Sequence, residues 1–325
     1  MSTRGLVQKA TLALSLLSAS VSWGEVFPMS NYNLIVLGDL DIQSEVEGKT
    51  LIGGNLTGSA ANFGVKLNIP KTEMSLIVAK DVSLQNVNVN QGSVQIAGNL
   101  NSGSNINLNS GGNYEIGGTK SGNVNGGTSL PFSNFPDVDS IANSLKSASA
   151  TFAAMTATST TSIQNTNQLV FNAVPTGPHN IAVFNVSGSD VFGNSSLASL
   201  SLNANGASEI IINVSGTSVT WNNGMNEVGD LLTADLRSKV IWNFYQATSI
   251  DIERNFNGAL LAPYAHLTNG TAIDGSVAVA SFTQRGEVHL PTTNVAVPEI
   301  SSTLLIGGFA IPLALVAWRR RRQVA

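Results

Sequence analysis

Short apolar runs recur along this chain, and each ends on the same kind of step. Leu34 to Gly38 leads into Asp39 and Leu40, and Thr50 to Ile52 into Gly53, Gly54, Asn55 and Leu56. Leu76 to Ala79 leads into Lys80, Asp81 and Val82, Val94 to Ala97 into Gly98, Asn99 and Leu100, and Tyr114 to Ile116 into Gly117 and Gly118. The units return at roughly 15 to 25 residues, the spacing of a solenoid coil rather than of a hairpin array. Gly and Asn supply the tight, partly left-handed corners. The predicted fold is mainly β, a parallel β-helix or solenoid-like domain whose coils bury one strand face against the next.

The pattern breaks at Pro136. Val138, Ile141, Ala142, Leu145, Ala148, Phe152 and Met155 then fall on one helical face, which predicts a helix over 136–155 packed against the side of the solenoid. Asp137 and Asp139 are expected in its first turn, where the helix dipole favours carboxylates, with Pro136 at a first-turn position. Strands resume at Gln168 to Phe171, Ile181 to Val186, Glu209 to Val214, Val240 to Phe244, Ala259 to Ala262 and Ser276 to Ala280, and Asp230 to Leu236 reads as a short turn or helix.

Composition narrows the function classes. There is no cysteine, which excludes a disulfide framework and thiol chemistry. Charged residues are 11% of the chain, well below the ordinary share. Setting aside Arg4, Lys9, Glu299 and Arg319 to Arg322 leaves ten basic and nineteen acidic side chains, about −9. A surface of that sign without a basic run excludes nucleic acid and anionic lipid as partners.

Both ends read as targeting segments. Arg4 and Lys9 precede an apolar, small-residue stretch from Ala10 to Val21, the layout of a secretory signal peptide over 1–24. At the other end the chain carries no charge from Ile300 to Trp318 and then presents Arg319, Arg320, Arg321 and Arg322. This predicts a transmembrane helix over 301–318 and a basic cytoplasmic tail over 319–325. Val297, Pro298 and Glu299, followed by that helix and arginine cluster, resemble the PEP-CTERM sorting signal of bacterial envelopes, with Ile300 in place of the second proline. The resemblance implies Sec export and recognition by an exosortase. The chain is then an inner-membrane anchored precursor that reaches the cell surface or the extracellular matrix, with 291–300 as linker and sorting motif.

A second resemblance covers residues 32–290. Asn33 to Leu40 (NLIVLGDL), Val46 to Leu56 (VEGKTLIGGNL), Val240 to Phe244 (VIWNF), Phe256 to Ala265 (FNGALLAPYA) and Ile273 to Ala280 (IDGSVAVA), closing on Glu287 and His289, are similar in order to the choice-of-anchor A domain. That family is regarded as adhesive, and such families resemble ice-binding-like β-helices with a helix alongside.

Candidate sites are sparse. Asp39, Asp41, Glu45 and Glu47 form the densest acidic cluster, and Asp39 and Asp41, two apart, share a face of a strand where Ca²⁺ bridges them or where they form a solvated turn. His179, His266 and His289 lie far apart, which speaks against zinc. Trp221, at a turn before Asn222, and Tyr245 are candidate ligand contacts, because exposed aromatic faces stack on sugars. Regular Thr-x-Thr ranks, which ice binding calls for, do not recur along the sequence. The reading is a non-enzymatic adhesive protein that binds extracellular polysaccharide or matrix protein. The alternative is a polysaccharide-degrading enzyme on a β-helix, using Arg237, Arg254 and Asp251 or Glu253. Carboxylates converging with an arginine in a groove would favour the enzyme, and a flat face would favour adhesion.

Overall fold

The strands stack in parallel, coil on coil. A typical coil contributes three short strands, such as Leu34–Val36, Leu40–Ile42 and Glu45–Val46, and each pairs with its counterpart in the next coil. The computed structural model describes residues 27–298 except Asn223. The expected signal peptide, Glu299, the helix over 301–318 and Arg319 to Arg322 lie outside the described residues. Among the described residues, no helix is long and apolar enough to cross a membrane.

Chain order and spatial order differ. Leu34 pairs with Thr50 on one side and with Val277 on the other. Likewise Leu40 pairs with Leu56 and Phe282, and Val46 with Phe63 and Val288. The first coil is therefore stacked on the last, and the stack runs unbroken from Ile181–Ser187 through Val277–Gln284 and Leu34–Val36 to Asn113–Ile116. Asn33 clamps this seam. It is fully buried, its Nδ2 donates to Gly275 O (3.2 Å) and His289 O (2.8 Å), and its Oδ1 accepts from Gly48 N (2.9 Å). A Cβ at Gly48 would stand 2.5 Å from Asn33 Cβ, so glycine there leaves room for the Asn33 side chain.

The recurring Gly-Asn steps form one corner ladder. Asp39 Oδ1 accepts from Asn55 N (2.7 Å), Asn55 Oδ1 from Asp81 N (3.2 Å), Asp81 Oδ1 from Asn99 N (2.8 Å) and Asn99 Oδ1 from Thr119 N (2.8 Å). The polar member of the motif thus satisfies a backbone donor in the next coil, which a corner cannot pair within itself. Sequence separations along the ladder are 16, 26, 18 and 20 residues. The longest step contains the excursion through Gly64 to Glu73. A further amide ladder runs Asn62, Asn88, Asn107, Asn125 on another face, with bonds of 2.9, 2.9 and 2.8 Å.

The interior is filled by inward side chains of every coil, with an aromatic cluster of Phe171, Phe184, Phe192, Trp221, Trp242, Phe244 and Phe256 towards one end. The predicted helix is Val138–Ala153. Asp137 stands just before it and caps it, its Oδ1 accepting from Ser140 N at 3.0 Å, while Asp139 occupies the first turn. Leu145, Ala148, Ser149 and Phe152 are buried against a sheet face made by Ile211, Ile241, Leu261, Ala278, Ile35 and Leu51. Polar bonds fix its position along that face. Ser149 Oγ donates to Asn243 Oδ1 (2.6 Å), Asn243 Nδ2 donates to Ser149 O (2.8 Å), and Asn213 Nδ2 donates to Phe152 O (2.8 Å).

Two features were not anticipated. Thr160–Gln164 lies antiparallel to Gln168–Asn172, and Thr158 N and Ser159 N bond to Val183 O at that end of the stack. Residues 291–297, expected as linker, are tied to the domain through Thr293 N to Ser276 Oγ (3.1 Å) and Asn294 N to Ser238 O (2.7 Å). Because Asn33 reaches Gly275 O and His289 O across the seam and satisfies Gly48 N beside it, Asn33→Leu is expected to cost about 2–3 kcal/mol. Chemical denaturation checks this, and an unchanged midpoint would show that the seam does not rest on Asn33.

Candidate functional site

One face of the solenoid is built of alternating residues, apolar inward and small polar outward. Val219, Ile250, Leu267, Phe282, Leu40, Leu56 and Val82 are its buried members. Outward, the register aligns Thr220 with Asp251, Asp251 with Thr268, Thr268 with Thr283, Thr283 with Asp41, Asp41 with Thr57 and Thr57 with Ser83. A second outward rank, two residues earlier, aligns Ser218, Ser249, His266 and Ser281. Parallel pairing holds neighbouring members about 4.8 Å apart. These are mixed polar ranks rather than the regular Thr-x-Thr ranks that do not recur along the sequence. The mixed ranks are hidden there because adjacent members come from separate coils and because the seam reorders them.

The ranks are cross-bonded. His266 Nδ1 meets Ser281 Oγ at 2.8 Å and its Nε2 meets Thr283 Oγ1 at 3.3 Å. Asp41 Oδ1 pairs with Arg285 Nη2 at 2.6 Å, and Asp41 Oδ2 accepts from Thr57 Oγ1 at 3.4 Å. Asp39 is occupied by Asn55, accepting from both its N (2.7 Å) and its Nδ2 (3.0 Å). Asp39 and Asp41 therefore serve the corner ladder and an ion pair. Hydrogen bonds from the Asn99 backbone and side chain hold the Asp81 carboxyl below the usual carboxylate range.

Trp221 requires a correction. It ends the strand Ser218–Trp221, whose alternation turns Val219 and Trp221 inward. The indole is fully buried and packs on Phe192 (5.2 Å between centroids) and Phe256 (6.0 Å), so it cannot meet a surface ligand. Tyr245 does reach the surface, half-buried between cavities of about 430 and 380 Å³ beside the long helix. Tyr264 flanks the second cavity, with Lys146 Nζ 5.9 Å from its ring centroid.

Of the residues proposed for a lyase, Asp251 and Arg237 stand apart, whereas Glu253 and Arg254 share a groove with a second carboxylate, Glu227, which is the feature that favours the enzyme alternative. Asp251 stands in the outward rank, and Arg237 Nη1 pairs with Asp274 Oδ1 at 3.1 Å. Glu253 and Arg254 line a pocket of about 340 Å³ with Glu227, Asn257 and Thr271. None of that last trio stood out in the sequence. Burial pushes the Glu227 carboxyl up to about 8. Among the described residues, the group able to bring three metal-type ligand atoms together is Glu45, Glu287 and His289. It lies at the seam, and His289 is already bonded to Asp274 (3.0 Å) and Glu287 (2.5 Å). Burial alone would lower the His289 pKa, but these carboxylates hold it above the ordinary value.

Residues 27–290 match a family model described as an ice-binding-like adhesive domain, and the chain belongs to that family. Comparison with curated proteins finds no match. Two solved structures are similar at low identity. The crystal structure of an ice binding protein from an Antarctic Biological Consortium is 12% identical, with 86% of this chain and 96% of that one covered and a TM-score of 0.35. The ice-binding protein of the Antarctic ascomycete Antarctomyces psychrotrophicus is 12% identical, with 84% and 100% covered and a TM-score of 0.27.

Glu227 generates a pH prediction. A carboxyl whose folded pKa is raised to about 8 binds more protons folded than unfolded, so its contribution falls as pH rises from the ordinary glutamate value towards about 8 and is level beyond. Glu227→Gln should flatten that decline. The test is denaturation of both proteins at pH 5, 6.5 and 8.5, and parallel profiles would contradict it.

Proposed function

We propose that this chain is an exported, non-enzymatic adhesive protein that binds extracellular polysaccharide or matrix protein through its ranked face. The observation that carries this reading is the outward rank from Thr220 to Ser83, continuous across the seam and flanked by a second rank. Membership of an ice-binding-like adhesive family supports it. An array of hydroxyl, imidazole and carboxylate groups in register offers many weak, evenly spaced contacts to a repeating ligand. Asp41, Arg285 and Asp251 put charged side chains on the face, which suits a hydrated polymer better than an ice lattice. Ice remains the second reading, favoured by the ranks themselves. Tyr245, beside Tyr264, is proposed as an additional stacking contact.

Thr283→Tyr and Thr57→Tyr, on opposite sides of the seam, should each lower adhesion of the displayed protein to a matrix-coated surface about 10-fold or more, and Thr→Ser at either place should change it less than about threefold. Asn125→Tyr, on another face, should leave adhesion unchanged. Equal loss from all three tyrosines would remove the ranked face from the account. Undiminished adhesion combined with lost ice-growth inhibition would favour the second reading.

The sorting route is proposed as well. Val297, Pro298 and Glu299 with Arg319, Arg320, Arg321 and Arg322 form the signal, read by an exosortase after Sec export, with the helix over 301–318 as the membrane anchor. Pro298 favours an extended backbone at the motif, and the arginines stop translocation. In a host with an exosortase the mature protein is expected to lose its tail near Pro298, and Glu299→Ala should stay uncut in the inner membrane. Intact mass and fractionation decide this. A wild-type product that keeps Trp318 would reduce the signal to a simple tail anchor.

A further inference from the structure

The pocket lined by Glu227, Glu253, Arg254, Asn257 and Thr271 combines features that the ranked face does not use. It has a volume of about 340 Å³, within the range of small-molecule sites. Residues 253–255 connect the ranked-face strand Ser249–Ile252 to Phe256–Asn257, so the pocket opens at the corner beside that face. Glu227 and Asn257 are 8% and 1% exposed. Asn257 Nδ2 donates to Glu227 Oε2, which ties the two side chains together. Yet Glu227 Oε1, Asn257 Oδ1 and Thr271 Oγ1, all buried, have no hydrogen-bond partner in the protein. Buried polar atoms are nearly always paired, so three unpaired ones on side chains that line a single pocket set it apart.

We propose that this pocket holds one neutral sugar residue of a glycan. The chemistry of the lining selects the class. The unpaired atoms include acceptors on Asn257 and Glu227 and a hydroxyl on Thr271 that both donates and accepts. A polyhydroxyl ring presents donors and acceptors to match all of them. Arg254, whose Nη2 donates to Asn226 Oδ1, faces the same space and opposes a cation. Glu253 opposes an anion, as does the acidic balance of the chain. The burial that keeps Glu227 protonated up to about 8 removes a charge that an uncharged ring could not neutralise. The site is separate from the ranked face, so its failure would leave the adhesive reading standing.

The test titrates glucose, galactose and N-acetylglucosamine, each up to tens of millimolar, into the purified full-length chain, followed by saturation-transfer NMR. Calcium chloride alone is run in parallel. At least one sugar is expected to bind, and Asn257→Leu and Thr271→Val should each weaken it about 10-fold or more. Glu227→Gln, which keeps the shape and a hydrogen-bonding side chain, should weaken it less. Thermal melts of the three variants show that each is folded. Because Asn257 is buried, Thr271→Val, at the rim, keeps the outcome readable if Asn257→Leu does not fold. Absence of binding by all three sugars would overturn the proposal. So would sugar binding that Thr271→Val leaves unchanged, or stabilisation by calcium that Glu227→Gln abolishes, which would make this a cation site.

Discussion

Parallel pairing of the first coil with the last is the contact on which the rest of the molecule depends. Leu34, Leu40 and Val46 each find a partner in the closing coil as well as in the following one. Without it the stack would divide into two shorter solenoids, each exposing unpaired strand edges. The seam is specified by side chains rather than by backbone alone. Asn33 reaches three backbone groups, Gly48 leaves room for it, and Glu47, almost fully buried, accepts from Leu290 N at 3.0 Å. The cost of leaving any of these buried groups unpaired makes a slipped register unfavourable.

Register is also what makes a binding surface. A parallel ladder places every outward side chain at the same height as its neighbour, so a residue type repeated once per coil becomes a straight rank. On this face the ranks are mixed. Threonine and serine supply small hydroxyls, while Asp41, Asp251 and Arg285 supply charge, and His266 bridges Ser281 and Thr283. Elsewhere the same lattice is spent on asparagine ladders whose amides bond to one another, as from Asn62 to Asn125. Those amides satisfy each other and reinforce the stack. Ranked hydroxyls have spare bonding capacity, and that difference directs attention to the face carrying Thr220 to Ser83.

Much of the frame was legible in the sequence, because its signals are local. The triplets Leu34–Val36 and Thr50–Ile52 are buried throughout and almost wholly apolar, since they lie between the solenoid interior and the long helix. The helix was legible because Leu145, Ala148 and Phe152 mark one stripe. The other faces were less visible. Strands of two or three residues, such as Leu40–Ile42, alternate too briefly to register as periodic. Trp221 was misplaced because its neighbours Asn222 to Gly224 suggested a turn, while the alternation Ser218, Val219, Thr220, Trp221 already turned it inward. The ranks could not be read, because Asp41 and Thr283 are neighbours only through the seam. The pocket of Glu227, Asn257 and Thr271 was invisible for the same reason, as its members lie on separate coils.

The central claim is that residues brought together only by the seam act as one binding face. Carboxyl footprinting of the protein, free and bound to extracellular matrix, tests it most directly. Asp251 lies on one side of the seam and Asp41 and Asp81 on the other, all on or beside the ranks. Asp139 and Asp235, on helices away from that face, are internal references. The account predicts that Asp251, Asp41 and Asp81 lose labelling together on binding while Asp139 and Asp235 do not. Protection confined to one side of the seam, or spread equally to Asp139 and Asp235, would contradict it.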